Sequence, residues 1–382
     1  MAAEKALELL LYLTDQAAAI FDTLKELVEL ESPSSDKPAL DRFSARLAEL
    51  WRSVGAEVDV LPEKTAGNHL LIHVGGAVDE KPLLLLGHMD TVWEIGEINR
   101  RPVRVEGDKA YGPGIYDMKG GHVQAIFAVR ALQALGRGPR RPLTIICNSD
   151  EEIGSDTSRP HIEREARRSA AVLVLEPANP DGSLKTWRKG TADYLIRAVG
   201  RAAHAGADPD QGISAIHELA HQILALQAMN RPEAGTTVNV GVIHGGTRTN
   251  VIPAEAVAQV DVRVMTAAEG RRIDAAIRAL APKLPGASLE VTGGMNRPPM
   301  EPSPGNLALY ERARALALEL GFEVGQGGTG GGSDGNFTAA LGLPTLDGLG
   351  ACGGGGHAVT EHVVLSALPK RAALLARLLE TL

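Results

Sequence analysis

Residues 83–97 read LLLLGHMDTVWEIGE. A run of four leucines demands burial, and its length suits a strand. His88, Met89 and Asp90 stand at its exit, where burial gives no reason for a histidine or a carboxylate. In open α/β sheets, ligands bind beyond the carboxyl ends of the strands. The run therefore reads as a strand that delivers polar groups to a sheet edge.

The neighbouring segments extend this reading. Apolar runs at 56–61, 69–74 and 82–87 predict strands, and 118–136 predicts a helix. LTIICNS (143–149) predicts another strand, 157–167 a helix, and AVLVLE (171–176) a strand. Strands alternating with helices indicate an α/β domain with a largely parallel, mixed sheet. Upstream, 14–54 carries helical periodicity broken at Ser32-Pro33-Ser34-Ser35. The N-terminal MAAEKALELLLYLTDQAAAIF has Glu4, Lys5 and Glu8 among its apolar residues, so it reads as an amphipathic helix rather than a leader.

After Pro177 the texture changes. Strands are expected at 190–200, 236–244, 255–265 and 287–294, with helices at 211–229 and 267–281. The order β-α-β-β-α-β is ferredoxin-like and closes on itself as a small α+β domain. The α/β pattern then resumes: a helix at 305–320, a strand near 322–326, a glycine-rich stretch, a strand near 343–347 and a last helix from 363. The expected organisation is a discontinuous domain, 1–187 with 301–382, carrying an insert at 188–300.

The chain has 382 residues, 44% hydrophobic and 23% charged, with net charge -8, which argues against nucleic acid as a partner. No apolar run reaches the length that spans a bilayer, so no membrane is expected. Two cysteines, Cys147 and Cys352, fit a reducing compartment, and a cytoplasmic location is expected.

Three polar clusters follow predicted strands: His88-Met89-Asp90, Ser149-Asp150-Glu151-Glu152 and Glu176. GPGIYDMKGG (112–121) sets Asp117 in a glycine-lined turn before a helix, and CGGGGH (352–357) sets His357 after four glycines. Singly these have ordinary readings: a loop histidine, an acidic first turn, an N-cap. Converging histidine and carboxylate groups suit zinc or a similar divalent ion. Asp90 is placed to accept from the second ring nitrogen of His88 and so fix its tautomer.

The segments GHMDTV, GPGIYDMKGG, SDEEIGS, LEP and GGGGH, in this order, resemble the M20 family of metallopeptidases over nearly the whole chain. Within the family, the GGGSDG and Gly-His segments most resemble the glutamate carboxypeptidases. The resemblance implies a zinc-peptidase-like catalytic domain with an inserted lid and dimerisation domain, hence a homodimer. It implies two Zn2+ ions per chain, with Co2+ or Mn2+ as substitutes. Asp117 would bridge them, His88 and Glu176 would hold one, and Glu152 and His357 the other. Glu151 would be the general base, Asp90 would count with it among the catalytic residues, and the Asp117–Met118 peptide would be cis. GRAAHAG (200–206) resembles the lid histidine motif, which makes His204 an oxyanion donor, and Asn250 and Arg263 match lid positions that face substrate. Arginine suits a carboxylate because its fork binds two oxygens. Lys185, Arg188 and Lys189 are further carboxylate candidates.

Two other motifs compete. His217-Glu218-Leu219-Ala220-His221 matches H-E-x-x-H, but it falls in the insert and lacks a downstream third ligand. Gly325, Gly327 and Gly330 match G-x-G-x-x-G without the opening βαβ unit that a dinucleotide needs. Ser333-Asp334 is expected to cap the next helix. The expected activity is zinc-dependent hydrolysis of an N-acyl amino acid or peptide, releasing a C-terminal amino acid such as glutamate. The alternatives are a deacylase of the acetylornithine or succinyl-diaminopimelate type, and a catalytically silent dimeric relative that only binds ligand.

Overall fold

The computed structural model describes residues 2–78 and 80–382. The chain divides into two compact units. One comprises Met1–Trp187, Pro302–Thr329 and Ser333–Leu382, and the other Arg188–Glu301 with Gly330–Gly332.

The first unit is built on a six-stranded mixed sheet in the order Glu57–Leu61, His69–Val74, Leu143–Asn148, Leu83–His88, Ala171–Val174, Thr345–Leu346. The last four strands are mutually parallel, while the first two run antiparallel to their neighbours. Leu83–His88 lies between two parallel partners, and all six of its residues are buried. Its leucines alternate between two cores. Leu83 and Leu85 join Phe127, Leu132 and Leu374 on one face, and Leu84 and Leu86 join Ile146, Ile162 and Val172 on the other. Both faces are covered, so the strand reads as a continuous apolar run. Truncating Leu85 to alanine would cost about 2–5 kcal/mol by the usual scale for buried leucine.

Helices flank this sheet for local reasons. Lys37–Arg52 starts at Asp36, whose side chain accepts the Ala39 N–H, and it buries Leu40, Phe43, Leu47 and Trp51 along one stripe. The closing helix Ala367–Thr381 packs on Gly120–Ala134. No helix among the described residues is long and apolar enough to cross a membrane.

The second unit is a four-stranded antiparallel sheet in the order Thr237–Gly245, Glu255–Val264, Gly190–Val199, Ser288–Arg297. Helices Ala215–Gln227 and Ala267–Arg278 complete a β-α-β-β-α-β order. Tyr194, Ile196, Val260 and Val262 meet Leu219, Leu226, Ile273 and Ile277 in its core.

Two local expectations are corrected. Residues 322–325, expected as part of a strand, form no regular element after the turn at Gly321 (φ 82°), and the strand forms at Gln326–Thr329, paired with Leu184–Arg188. The last helix begins at Ala367, because His362–Val364 is a strand. That strand belongs to a small antiparallel sheet with Gly353–Gly354, Lys109–Tyr111 and Arg104–Glu106. Strands of two or three residues are too short to show periodicity.

Candidate metal centre

The parallel strands end at one edge of the sheet. His88 closes its strand opposite Asn148, the short turn Glu151–Ile153 follows Asn148, and Glu176 lies two residues past Val174. Asp117 and His357 arrive from the small sheet. Lys109–Tyr111 runs on into the turn that bears Asp117, and Gly353–Gly354 with His362–Val364 forms the hairpin that carries His357. His357 itself has φ 62°, an uncommon conformation for a residue with a side chain and one associated with functional sites.

Asp117 faces two ways. Its Oδ1 lies 3.2 Å from His88 Nε2, and its Oδ2 lies 3.4 Å from His357 Nε2. Glu176 Oε1 is 3.3 Å from His88 Nε2, and Glu152 Oε2 is 3.2 Å from His357 Nε2. Ligand-type atoms of His88, Glu151 and Glu176, and those of His88, Asp117 and Glu152, cluster within 4.8 Å of one another. The expected residues of this unit are thus brought together, around the two oxygens of one aspartate.

Asp90 takes a different part from the one its spacing predicts. His88 Nδ1 lies 2.9 Å from the Asp90 backbone carbonyl and 3.5 Å from its carboxylate. The carbonyl accepts the Nδ1 proton and turns Nε2 toward Asp117 and Glu176. The carboxylate instead accepts the Glu151 and Glu152 amides, each at 3.1 Å, and the Ser34 hydroxyl at 2.7 Å. It fixes the backbone of the two glutamates.

The electrostatics favour a cation. Burial opposes protonation of His88, but oxygens of Asp117, Asp90 and Glu176 prevail and raise its pKa well above the usual imidazole range. Asp117 and Glu152 raise His357 to about 11. Burial would raise Asp117, yet His357 and His88 hold its carboxyl below the usual range. Burial raises Glu152, and the charge of Asp117 adds to it. Glu152 Oε1 is buried and accepts no hydrogen bond. A buried carboxylate oxygen without a donor is costly unless a cation meets it. The donor set of imidazoles and carboxylates is the kind that holds zinc or a related divalent ion.

Several supports were not legible in sequence. The ring of His122, on helix Gly120–Ala134, approaches the His88 carbonyl with Nε2 at 2.6 Å. Burial lowers its pKa to about 4, which keeps the ring neutral. A Cβ at Gly121 would sit 2.1 Å from the Leu175 carbonyl oxygen, so only glycine lets this helix approach the segment bearing Glu176. Glu361 is buried and accepts N–H groups from the Asp117 turn. The Asp117–Met118 peptide is cis, as the family resemblance implies.

Of Ser333 and Asp334, expected to cap the next helix, only Ser333 meets the start of helix Gly335–Ala340. The Ser333 hydroxyl accepts the Gly335 N–H and donates to Asp347. Asp334 makes no side-chain cap, and its carboxylate accepts from Asn148 Nδ2 at 2.8 Å and from Ser155 Oγ. It therefore ties down the loop that carries Glu151 and Glu152. In the glycine-rich stretch, a Cβ at Gly328 would lie 2.1 Å from the Trp187 ring, so this glycine answers to packing.

The remaining candidates lie in the second unit or at its border. His204 is exposed, and its Nδ1 accepts the Gly206 and Ala207 amides at 3.1 and 3.0 Å, which places the ring proton on Nε2. Asn250 is exposed. Arg263 is engaged with Asp261, through Nε at 3.0 Å and Nη2 at 2.7 Å. Arg188 donates Nη1 to the carbonyls of Gly331 and Gly332, Lys185 is buried, and Lys189 is half-buried. In the H-E-x-x-H segment the two rings lie 4.8 Å apart, but Glu218 is buried. Its carboxylate accepts the Lys283 and Leu284 amides and Gln222 Nε2.

Residues 84–381 match the family model described as peptidase family M20/M25/M40. Carboxypeptidase G2 of a Pseudomonas species is 34% identical over 377 residues, covering 96% of this chain and 90% of that protein. An acetylornithine deacetylase of Salmonella arizonae is 32% identical over 260 residues, covering 63% and 66%. Among solved structures, an M20 family metallo-carboxypeptidase of Sulfolobus solfataricus superposes with TM-score 0.76 at 17% identity, covering 94% of this chain and 98% of that one. Aminopeptidase PepT of Bacillus cereus gives 0.78 at 22% identity, covering 95% and 98%.

Proposed function

The chain belongs to the M20/M25/M40 peptidase family, and from that premise we propose a dinuclear zinc carboxypeptidase that cleaves the amide of an N-acyl amino acid or peptide and frees its C-terminal amino acid. The observation that carries the reading is Asp117, whose two carboxylate oxygens face separate histidine–carboxylate pairs. His88, Glu176 and Asp117 would hold one ion, and Glu152, His357 and Asp117 the other. Bound zinc supplies a water of lowered pKa and polarises a carbonyl.

The protein groups divide the remaining work. Glu151 is the general base that takes the proton of the attacking water and passes it to the leaving nitrogen. Asp90, through the Glu151 and Glu152 amides, keeps base and ligand in register. His204 offers its Nε2–H to the oxyanion, a role that its two Nδ1 acceptor bonds support. Arg263 and Asn250 receive the free carboxylate of the substrate, with Arg263 exchanging part of its Asp261 contact for it. We assign glutamate as the released residue, on the resemblance of the GGGSDG and Gly-His segments to the glutamate carboxypeptidases.

A deacylase acting on another amino acid is the second reading, favoured by the 32% identity to an acetylornithine deacetylase. Release of amine from N-acyl-glutamate, N-acetylornithine and succinyl-diaminopimelate, each with added zinc, separates the two. Turnover of N-acetylornithine alone would overturn the carboxypeptidase assignment. A homodimer through the second unit is part of the proposal. The edge strand Thr237–Gly245 exposes Val242 and Ile243, and helix Ala215–Gln227 exposes Ile216 and Leu224. The free cysteines support a cytoplasmic location.

A further inference from the structure

The glutamate four residues after His357 is buried in the first unit, only 1% exposed. Its Oε1 accepts the Tyr116 and Asp117 amides at 3.0 Å each, and its Oε2 accepts the Gly114 amide and the Trp93 indole at 2.8 Å each. An ionised carboxylate accepts at about four lone-pair sites and donates at none. Four converging N–H donors therefore call for this side chain and no neutral one.

The donors belong to two different segments. Gly114, Tyr116 and Asp117 form the turn that presents the shared aspartate, and Trp93 lies three residues past Asp90. Glu361 itself sits on the far side of the His357 hairpin, just before the strand His362–Val364 that pairs with Lys109–Tyr111. One carboxylate thus joins the segments that carry His88 and Asp90, Asp117, and His357.

We propose that Glu361 is the positioning residue of the metal centre: by fixing the Asp117 turn against the His357 hairpin, it sets the affinity of the ion held by Asp117, Glu152 and His357. The inference rests on the dinuclear reading above. It assigns Glu361 no contact with substrate or metal. Groups that orient ligands from behind typically govern metal affinity by about 10–100-fold.

The test measures zinc binding by competition with a chromophoric chelator, and the visible absorption of Co2+ added in two equivalents. Wild type should bind two ions, and binding of only one would fail the dinuclear reading itself. Glu361→Gln turns an acceptor into an NH2 group facing N–H donors. It should keep one ion at wild-type affinity, weaken the other by about 10–100-fold, and alter the spectrum of the second Co2+ equivalent alone. Glu361→Asp keeps the charge on a shorter stem, so it should weaken the same ion less and serves if the glutamine variant does not fold. Trp93→Phe removes only the indole donor and should leave both affinities within about twofold of wild type, since Glu361 keeps its three backbone donors. A variant at 361 that melts earlier yet binds both ions as wild type does would reduce Glu361 to a structural residue and overturn the proposal, as would equal weakening of both ions.

Discussion

His217, Glu218 and His221 stand within two turns of one helix, whereas His88, Asp117, Glu152, Glu176 and His357 are gathered from five separate segments. The first group is complete in five letters, and the second is spread over most of the chain. What differs is how their carboxylates are used. Glu218 already accepts two backbone amides and a glutamine amide, so its oxygens are taken. Glu152 keeps a buried oxygen with no donor, and Asp117 turns both oxygens toward imidazoles. A ligand set is recognised by unspent acceptor capacity that converges, and adjacency in sequence is a poor guide to it.

The largest effect that could break this contrast is loss of metal. Chelation should abolish activity and zinc or cobalt should restore it, because deprotonated carboxylates and neutral imidazoles hold the ions. His357→Ala should lose activity along with about one ion per chain. A chain stripped of metal, verified by elemental analysis, that still turns over substrate would dissolve the distinction.

The next effect separates two neighbours inside the dispersed site. Glu152→Ala should lose roughly one metal per chain and activity together. Glu151→Gln should keep both metals and near-normal substrate binding, while kcat falls by at least about 10²-fold. Metal content and kcat measured on both variants under one set of conditions decide it. If Glu151→Gln is the one that sheds metal, the roles of the two glutamates are exchanged.

A smaller effect belongs to the contiguous motif. Burial alone would raise the pKa of Glu218, but the Leu284 amide, Gln222 and the Lys283 amide hold it below the usual glutamate range. A depressed pKa means that the ionised form stabilises the fold at neutral pH and that this contribution fades as pH falls through the lowered value. Glu218→Gln should destabilise by about 1.5–3 kcal/mol at neutral pH, the scale of hydrogen bonds to a charged group. The gap from wild type should narrow in acid, and metal content should stay unchanged. Denaturant melts across that pH range would show it. A gap independent of pH would mean that the charge of Glu218 is not what binds the 283–284 segment.

The smallest effect is expected at His221, which is half-buried with its ring against that of His217. His221→Ala should change stability by no more than about 1 kcal/mol, the centre of the range for single substitutions, and should leave zinc content at the wild-type level. Zinc loss in this variant with none in His357→Ala would place the metal site in the other unit.

The parts of the molecule legible in sequence were those with a period or a strong exit signal. The leucine run, LTIICN and AVLV show their strand character in burial on both faces, and His88, the Glu151-Glu152 pair and Glu176 stand where those strands stop. The small sheet was invisible because Arg104–Glu106 and Gly353–Gly354 are too short to have a pattern. Glu361 was invisible for a different reason. In a polar loop sequence it looks solvated, and only the fold brings four N–H donors to it. The spacing of His88 and Asp90 points to the carboxylate, whereas the backbone carbonyl of Asp90 lies nearer the ring, and backbone carbonyls carry no sequence signature.

The first unit is interrupted: its sheet takes Leu83–His88 and Ala171–Val174 from before the second unit and Thr345–Leu346 from after it. A ribosome delivers these pieces in order. The second unit is almost wholly contiguous and has its four strands in hand once residue 297 has emerged. The edge of Ala171–Val174 must wait unpaired for Thr345–Leu346, and the apolar face of Gly120–Ala134 must wait for Ala367–Thr381. During synthesis the nascent chain therefore carries a finished small domain beside an open, leucine-rich sheet, the kind of exposed surface that chaperones exist to cover.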